Sequence, residues 1–186
     1  DWSSDVCSSD LGMKTWFDGN DVDFDFSLLR PAGARLKIMG GKSSGPQPLI
    51  DLIGFTRERI LRRQGRHLRN IDAHDIICKI GECVVSGGVR RSATICLFDK
   101  DDIEMLNAKT GDWFIKNPQR GRSNNSAMLK RDELTLEEWS KIMQSVKSYG
   151  EPGFIFTDNL EFAYNPCVEI GMLPKTKDGV SGFQFC

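Results

Sequence analysis

Twice in this chain a helical pattern runs into glycine and emerges as a short strand, and that repeat constrains the fold more than any other feature. At 72–86 (DAHDIICKIGECVVS), Ile76, Ile77, Ile80 and Val84 gather on one side of a helix. Gly87 and Gly88 stop it, because glycine takes the left-handed backbone that ends helices without a Cβ clash. Residues 89–98 (VRRSATICLF) then continue as a strand. At 135–149, Thr135 caps a second helix, and Glu137 and Glu138 favour its first turn. Trp139, Ile142, Met143 and Val146 form its apolar stripe, expected in the core. Gly150 ends this helix, and 153–156 reads as a strand. Helix, glycine stop and strand in alternation predict an α/β architecture.

A length of 186 residues with 39% hydrophobic content suits one domain or a piece of a larger one. No apolar run reaches the length of a membrane span, and the N-terminus lacks the regions of a signal peptide. A net charge of −1 gives no reason to expect a nucleic-acid or membrane surface. Residues 1–11 (DWSSDVCSSDL) are rich in Ser and Asp and lack periodicity. They resemble the translation of a sequencing-adapter oligonucleotide more than protein; a short disordered tail is the alternative. Either way they stand outside the domain at 12–186. Without Asp1, Asp5 and Asp10 the 26 acids fall to 23 against 25 bases, and Cys7 leaves the cysteine count. On that reading the chain is a truncated piece whose true start is missing.

The remaining segments are ordinary when read one by one. Asp21, Asp23 and Asp25 alternate with Val22, Phe24 and Phe26. No Gly and distal Glu complete a calcium loop, so a half-buried strand is expected. A short basic and apolar strand at 35–39 enters a loop at 40–45, where Gly40, Gly41, Lys42 and Ser43 could meet a phosphate but do not fit a P-loop. Residues 49–68 carry Leu49, Leu52, Ile53, Ile60 and Leu61 at helical spacing. Arg57, Arg59, Arg62, Arg63 and Arg66 lie mostly opposite, as a solvated face, and His67 is expected at the surface. A short acidic helix follows at 101–109, then an aromatic cluster and a polar, basic loop through 125 that contains Arg120, Gly121, Arg122 and Asn124. The next strand is expected from Ala127. With two histidines in the chain, zinc binding is not expected, and no metal site is assigned. Cys78, Cys83 and Cys96 are expected to pack as small hydrophobes in a reducing cytosol.

Near the C-terminus stands Asn165-Pro166-Cys167-Val168-Glu169, followed by Ile170, Gly171, Met172 and Leu173. Val, Ile and Leu favour a strand, and Pro166 excludes a helix interior. In a strand Asn165, Cys167 and Glu169 would share one face with neighbours roughly 7 Å apart, able to grip one small polar ligand. Three incidental polar residues at a strand end would read the same way.

Asn-Pro-Cys-x-Glu-Ile resembles the active-site loop of ribonucleotide reductases, most closely the adenosylcobalamin-dependent ones. Gly87-Gly88-Val89-Arg90-Arg91-Ser92-Ala93, Ser123-Asn124-Asn125-Ser126 and Glu151-Pro152-Gly153 resemble the same family. The resemblance implies part of a ten-stranded α/β barrel and radical reduction of ribonucleotides. Cys167 would become a thiyl radical, Glu169 a general base on the 3′-hydroxyl, and Asn165 a holder of ribose hydroxyls. Cys186 would be half of the reducing dithiol, its partner lying outside the chain. The Gly40–Ser43 loop and the Arg120, Gly121, Arg122 and Asn124 loop would lie at the rim, reading substrate and effector. The implied partners are a ribonucleoside triphosphate or diphosphate, a deoxynucleotide effector and a thioredoxin-like reductant, in the cytoplasm. The iron-dependent class of the same enzyme and a non-catalytic nucleotide-binding relative remain alternatives.

Overall fold

A computed structural model describes residues 2–36, 41–85, 92–173, 175 and 177–179. Gly40, the Gly87–Arg91 part of the glycine-arginine run, the strand residues 37–39 and Cys186 lie outside the described residues. The chain divides into two compact units, Asp1–Ser92 and Ala93–Cys186.

The first unit is helical: α1 (Trp2–Phe17), α2 (Gln47–Leu61) and α3 (Asn70–Val85). The tail at 1–11, expected to be an artefact or disordered, is helical from Trp2. The anchor of α1 nevertheless lies beyond Leu11, at Gly12 and Trp16. Trp16 is 2% exposed and its Nε1–H donates to Asp21 at 3.0 Å. A Cβ on Gly12 would lie 2.9 Å from the Phe24 ring. Among the described residues, 20–26 form no strand, which corrects the expected one. Their alternation survives: Val22, Phe24 and Phe26 are half-buried while the aspartates are exposed. Arg57 beside Asp21 holds that carboxyl down at about 2.

The arginine face of α2 is only partly solvated, a second correction. Arg59 and Arg63 turn inward against the buried acids of α3: Arg59 Nη2 lies 3.3 Å from Asp75, and Arg63 Nε 3.5 Å from Asp72. Arg69 closes on Asp72 with two hydrogen bonds of 2.8 and 3.0 Å. Asp75 is wholly buried, and a buried carboxylate persists only when cations and donors surround it. Cys78 is buried 3.4 Å from His74 Nε2, in keeping with a packing role, and desolvation raises the Cys83 and Cys96 thiols, keeping them protonated.

The second unit is built on a parallel sheet. Strands β1 (Thr94–Asp99), β2 (Ser123–Leu129) and β3 (Gly153–Phe156) lie in that order, with β2 central. Thr94 pairs with Ser123, and Ser126 with Gly153. Between β1 and β2 come two single-turn helices, α4 (Ile103–Leu106) and α5 (Trp113–Lys116), and a 3₁₀ turn at Pro118–Arg122. β2 begins at Ser123, so Ser123-Asn124-Asn125-Ser126 belongs to the sheet and not to the preceding loop. Its interior position explains this: Asn125 is 1%, Ala127 0% and Leu129 0% exposed. The crossover α6 (Leu136–Tyr149) matches its sequence signals. Thr135 and Glu138 form a reciprocal capping box, and Gly150 at φ 72° ends the helix. Trp139 meets Phe154 edge-on at 5.0 Å. Of the expected core stripe only Ile142 is fully buried; Trp139 and Val146 are half-buried and Met143 is exposed.

The Lys100 ammonium, and then the Thr135 backbone N–H, hold the Glu138 carboxyl at about 2, below its ordinary 4.5. A depressed carboxylate stabilises the fold above its unfolded value and loses that contribution as pH falls through the folded one. In thermal unfolding, the advantage of the wild type over Glu138→Gln is therefore expected in full above pH 4.5 and to vanish as pH falls to about 2.

Candidate active site

The stretch at 165–169 is a turn and not a strand. β4 (Ala163–Tyr164) and β5 (Gly171–Met172) form a short antiparallel hairpin, and residues 166–169 make its tip. Asn165 closes the loop twice: its N–H donates to the Ile170 carbonyl at 3.1 Å, and its Oδ1 accepts from the Ile170 N–H at 2.9 Å. The Val168 N–H donates to the Asn165 carbonyl at 2.9 Å. Pro166 suits the tip because it has no N–H to leave unpaired. Opposite Tyr164, Gly171 is required by space: a Cβ there would lie 2.8 Å from the Tyr164 ring.

The expected row of three side chains on one strand face does not exist. Asn165 is 2% exposed and locks the turn from within, while Cys167 and Glu169 are exposed. Between them Val168 adopts φ 67°. A β-branched residue in the left-handed region is strained, and such strain persists only where surrounding contacts enforce it. The turn thus presents a thiol and a carboxylate on either side of a constrained residue, with the supporting amide beneath them.

A contact from outside the hairpin also holds this turn. Asn124, on β2, donates from Nδ2 to the Pro166 carbonyl at 2.9 Å, and its Oδ1 accepts from Ser126 Oγ–H at 2.9 Å. Of the other loop residues expected at the rim, Arg120 donates from Nη1 to the Ala108 carbonyl at 2.7 Å. Gly121 faces the Trp113 ring, and Arg122 is exposed. In the first unit, Gly41 turns at φ 87°, Lys42 bridges Arg35 and is exposed, and Ser43 donates from its N–H to Ala34 at 2.7 Å. Three cavities among the described residues hold none of the predicted site residues: a groove of about 610 Å³ between α4 and α6, an open hollow of about 380 Å³ at Arg131, Trp139 and Phe156, and an apolar cleft of about 210 Å³ in the first unit.

Sequence reasoning gave Ser126 and Gly153 no site role, although both stand in the family-like stretches, and it missed Lys109. Lys109 is 5% exposed; its ammonium donates to the Ser123 carbonyl and to Glu151 Oε1 at 2.7 Å, fixing the start of β2 against the 151–153 turn. An apparently ordinary lysine gave no local signal of this.

Known proteins bear on this geometry. The chain matches no protein-family model. It is 35% identical over 144 residues to an adenosylcobalamin-dependent ribonucleoside-triphosphate reductase of Euglena gracilis, covering 76% of this chain and 19% of that protein. The reductase of the same name from Lactobacillus acidophilus is 34% identical over 162 residues, 87% of this chain and 21% of that protein. This chain belongs to the adenosylcobalamin-dependent ribonucleotide reductase family. It spans about a fifth of the length of the curated reductases it matches. A crystal structure of a B-12-dependent, class II ribonucleotide reductase superposes with a TM-score of 0.59 at 29% identity, over 71% of this chain and 17% of that one. The likeness to a class II reductase extends to the mixed α/β architecture with its parallel sheet. Among the described residues no helix is long and apolar enough to cross a membrane.

Proposed function

We propose that the protein to which this segment belongs reduces ribonucleoside triphosphates to 2′-deoxyribonucleotides by radical chemistry begun at Cys167. The observation that carries this reading is the 165–170 turn, which presents an exposed thiol beside an exposed carboxylate, in a chain whose relatives are reductases. Loss of a 2′-hydroxyl is difficult by polar chemistry, because hydroxide is a poor leaving group. Sulfur can carry an unpaired electron, take the 3′-hydrogen of the ribose and return it at the end. Glu169 takes the proton of the 3′-hydroxyl, a role for a carboxylate within hydrogen-bond reach of substrate. The 2′-hydroxyl then leaves as water, taking its added proton from one thiol of the reducing pair. Two electrons come from a dithiol, one thiol of which we assign to Cys186, and the pair closes to a disulfide that an external thioredoxin-like dithiol resets. Asn165 contributes by fixing the turn; a direct bond to a ribose hydroxyl requires its carboxamide, now 2% exposed, to open.

Adenosylcobalamin, when bound, supplies the one-electron oxidation that the thiol needs. The exposed Cys167 on the turn fits that demand, since a bulky radical source can reach its sulfur only from an open side. We place the two units within a ten-stranded α/β barrel acting in the reducing cytoplasm. We assign contacts with nucleotide substrate and deoxynucleotide effector to the Gly40–Ser43 and Arg120–Arg122 segments.

The test is an assay of the full-length protein for deoxyribonucleotide formation, with and without adenosylcobalamin and a dithiol. Turnover that needs both is the expected result. Turnover that instead needs an added iron subunit would move the chemistry to the other class of the enzyme. Nucleotide binding without reduction under either condition would leave a binding protein and overturn the proposal.

A further inference from the structure

We propose that Asn124 is a positioning residue for Cys167: from the central strand it pins the peptide that joins Pro166 to the thiol residue. This rests on the reading of Cys167 as the reactive thiol. The Pro166 carbonyl, which accepts from Asn124 Nδ2–H at 2.9 Å, is the carbonyl of the Pro166–Cys167 peptide itself. One covalent link separates the tether from the backbone of the reacting residue.

The amide has one workable orientation. A carbonyl only accepts, so the NH₂ of Asn124 must face Pro166, and the opposite oxygen must face a donor. Ser126 Oγ–H is that donor, at 2.9 Å. Asn124 and Ser126 are two apart on β2 and so share a face of the sheet. Their wall is Gly153, which pairs with Ser126 across the parallel register. A Cβ on Gly153 would lie 2.5 Å from Ser126 Oγ and 3.4 Å from Asn124 Oδ1. The glycine of the 151–153 turn thus leaves the room in which the Ser126–Asn124 pair sits.

The turn needs such an anchor. Val168 is held at φ 67°, a conformation that relaxes unless its surroundings oppose it. Within the hairpin the Asn165 bonds supply part of that opposition, and two-residue strands hold little register by themselves. Asn124 adds a fixed point on the most buried strand of the unit. A shift on the order of 1 Å at a reacting group can cost about a hundredfold in rate. This role differs from the effector-reading one that the loop resemblance implies for Asn124.

The experiment compares the full-length wild type with Asn124→Ala, Asn124→Asp and Ser126→Ala, by peptide-resolved hydrogen exchange and by steady-state reduction. Exchange in the peptide covering 165–170 is expected to quicken about tenfold in Asn124→Ala, with α6 unchanged, because local opening then needs no break from β2. Asn124→Asp should be at least as fast, since a carboxylate cannot donate to the Pro166 carbonyl. The value of kcat is expected to fall about tenfold or more while KM stays near the wild-type value. Exchange at the wild-type rate in every variant overturns the tether. Faster exchange with kcat unchanged overturns the positioning role. If Asn124→Ala also deprotects α6, Ser126→Ala decides: faster exchange at 165–170 supports the proposal and a wild-type rate refutes it. A wild type without reductase activity defeats the catalytic reading and with it the positioning role, while the exchange arm still reports on the contact.

Discussion

Cys167→Ser is expected to remove ribonucleotide reduction by at least about 10⁴-fold, the scale seen when a residue that acts covalently is lost. A serine hydroxyl matches the thiol in shape, but its O–H bond is too strong to serve as the source and sink of a hydrogen atom. Folding should be untouched. Cys167 is exposed at the tip of the turn, and surface replacements of this kind stay within about 0.5 kcal/mol. Glu169→Gln provides the graded comparison, because removal of a general base costs about 10²–10⁴-fold and leaves the radical site intact. Single-turnover conversion of labelled nucleotide, with thermal midpoints measured in parallel, checks both. Residual turnover by Cys167→Ser comparable with that of Glu169→Gln would sink the assignment of the thiol.

The largest expected effect on stability lies at Lys109. Its ammonium is nearly sequestered between the Ser123 carbonyl, the Glu151 carboxylate and the Trp113 ring, whose centroid is 5.8 Å away. Lys109→Met keeps the length of the side chain and deletes the charge, stranding Glu151 and the Ser123 carbonyl. Removing one partner of a buried pair costs about 3–5 kcal/mol. The Glu151 side chain is 25% exposed and recovers some hydration, which places the expected loss at the low end, about 3 kcal/mol. The double variant Lys109→Met with Glu151→Leu should regain most of it, since an apolar pair of similar volume replaces a buried ion pair at little cost. Denaturant unfolding of the wild type, Lys109→Met, Glu151→Leu and the double variant measures the coupling. A loss under about 1 kcal/mol in the single variant would mean that Glu151 rehydrates freely and the pair contributes little. The site should respond as well: Lys109 and Glu151 fix the two strand starts, at Ser123 and Gly153, that flank the Asn124–Ser126 pair.

The elements that were legible in the sequence are those whose signals act over a few residues. Thr135 and Glu138 cap α6 reciprocally, and Gly150 ends it in the left-handed region. α3 precedes the parallel strand β1, and β2 and β3 are joined through α6. The motif carrying Cys167 and Glu169 was also legible as a family resemblance. Its conformation was not. Val168, Ile170 and Leu173 favour a strand, yet the Asn165 side chain supplies the bond that closes a turn and Val168 crosses to positive φ. Propensity counts side-chain preferences and cannot see a carboxamide replacing a backbone partner. Arg59 and Arg63 were read as solvated for a related reason. A helical wheel separates apolar from charged positions, and only the facing helix shows that Asp72 and Asp75 meet two of the arginines.

The sequence by itself determined the succession α3, β1, β2, α6 and β3, the cap and stop of α6, and the chemical groups carried by the turn. Capping and glycine conformations are settled within one turn of chain. Only the tertiary structure decided how the thiol is held, because that depends on the parallel register placing Gly153 beside Ser126 and on Asn124 reaching Pro166 across 42 positions of sequence. Hydrogen bonds of that kind select partners by position in space, and no spacing along the chain encodes them.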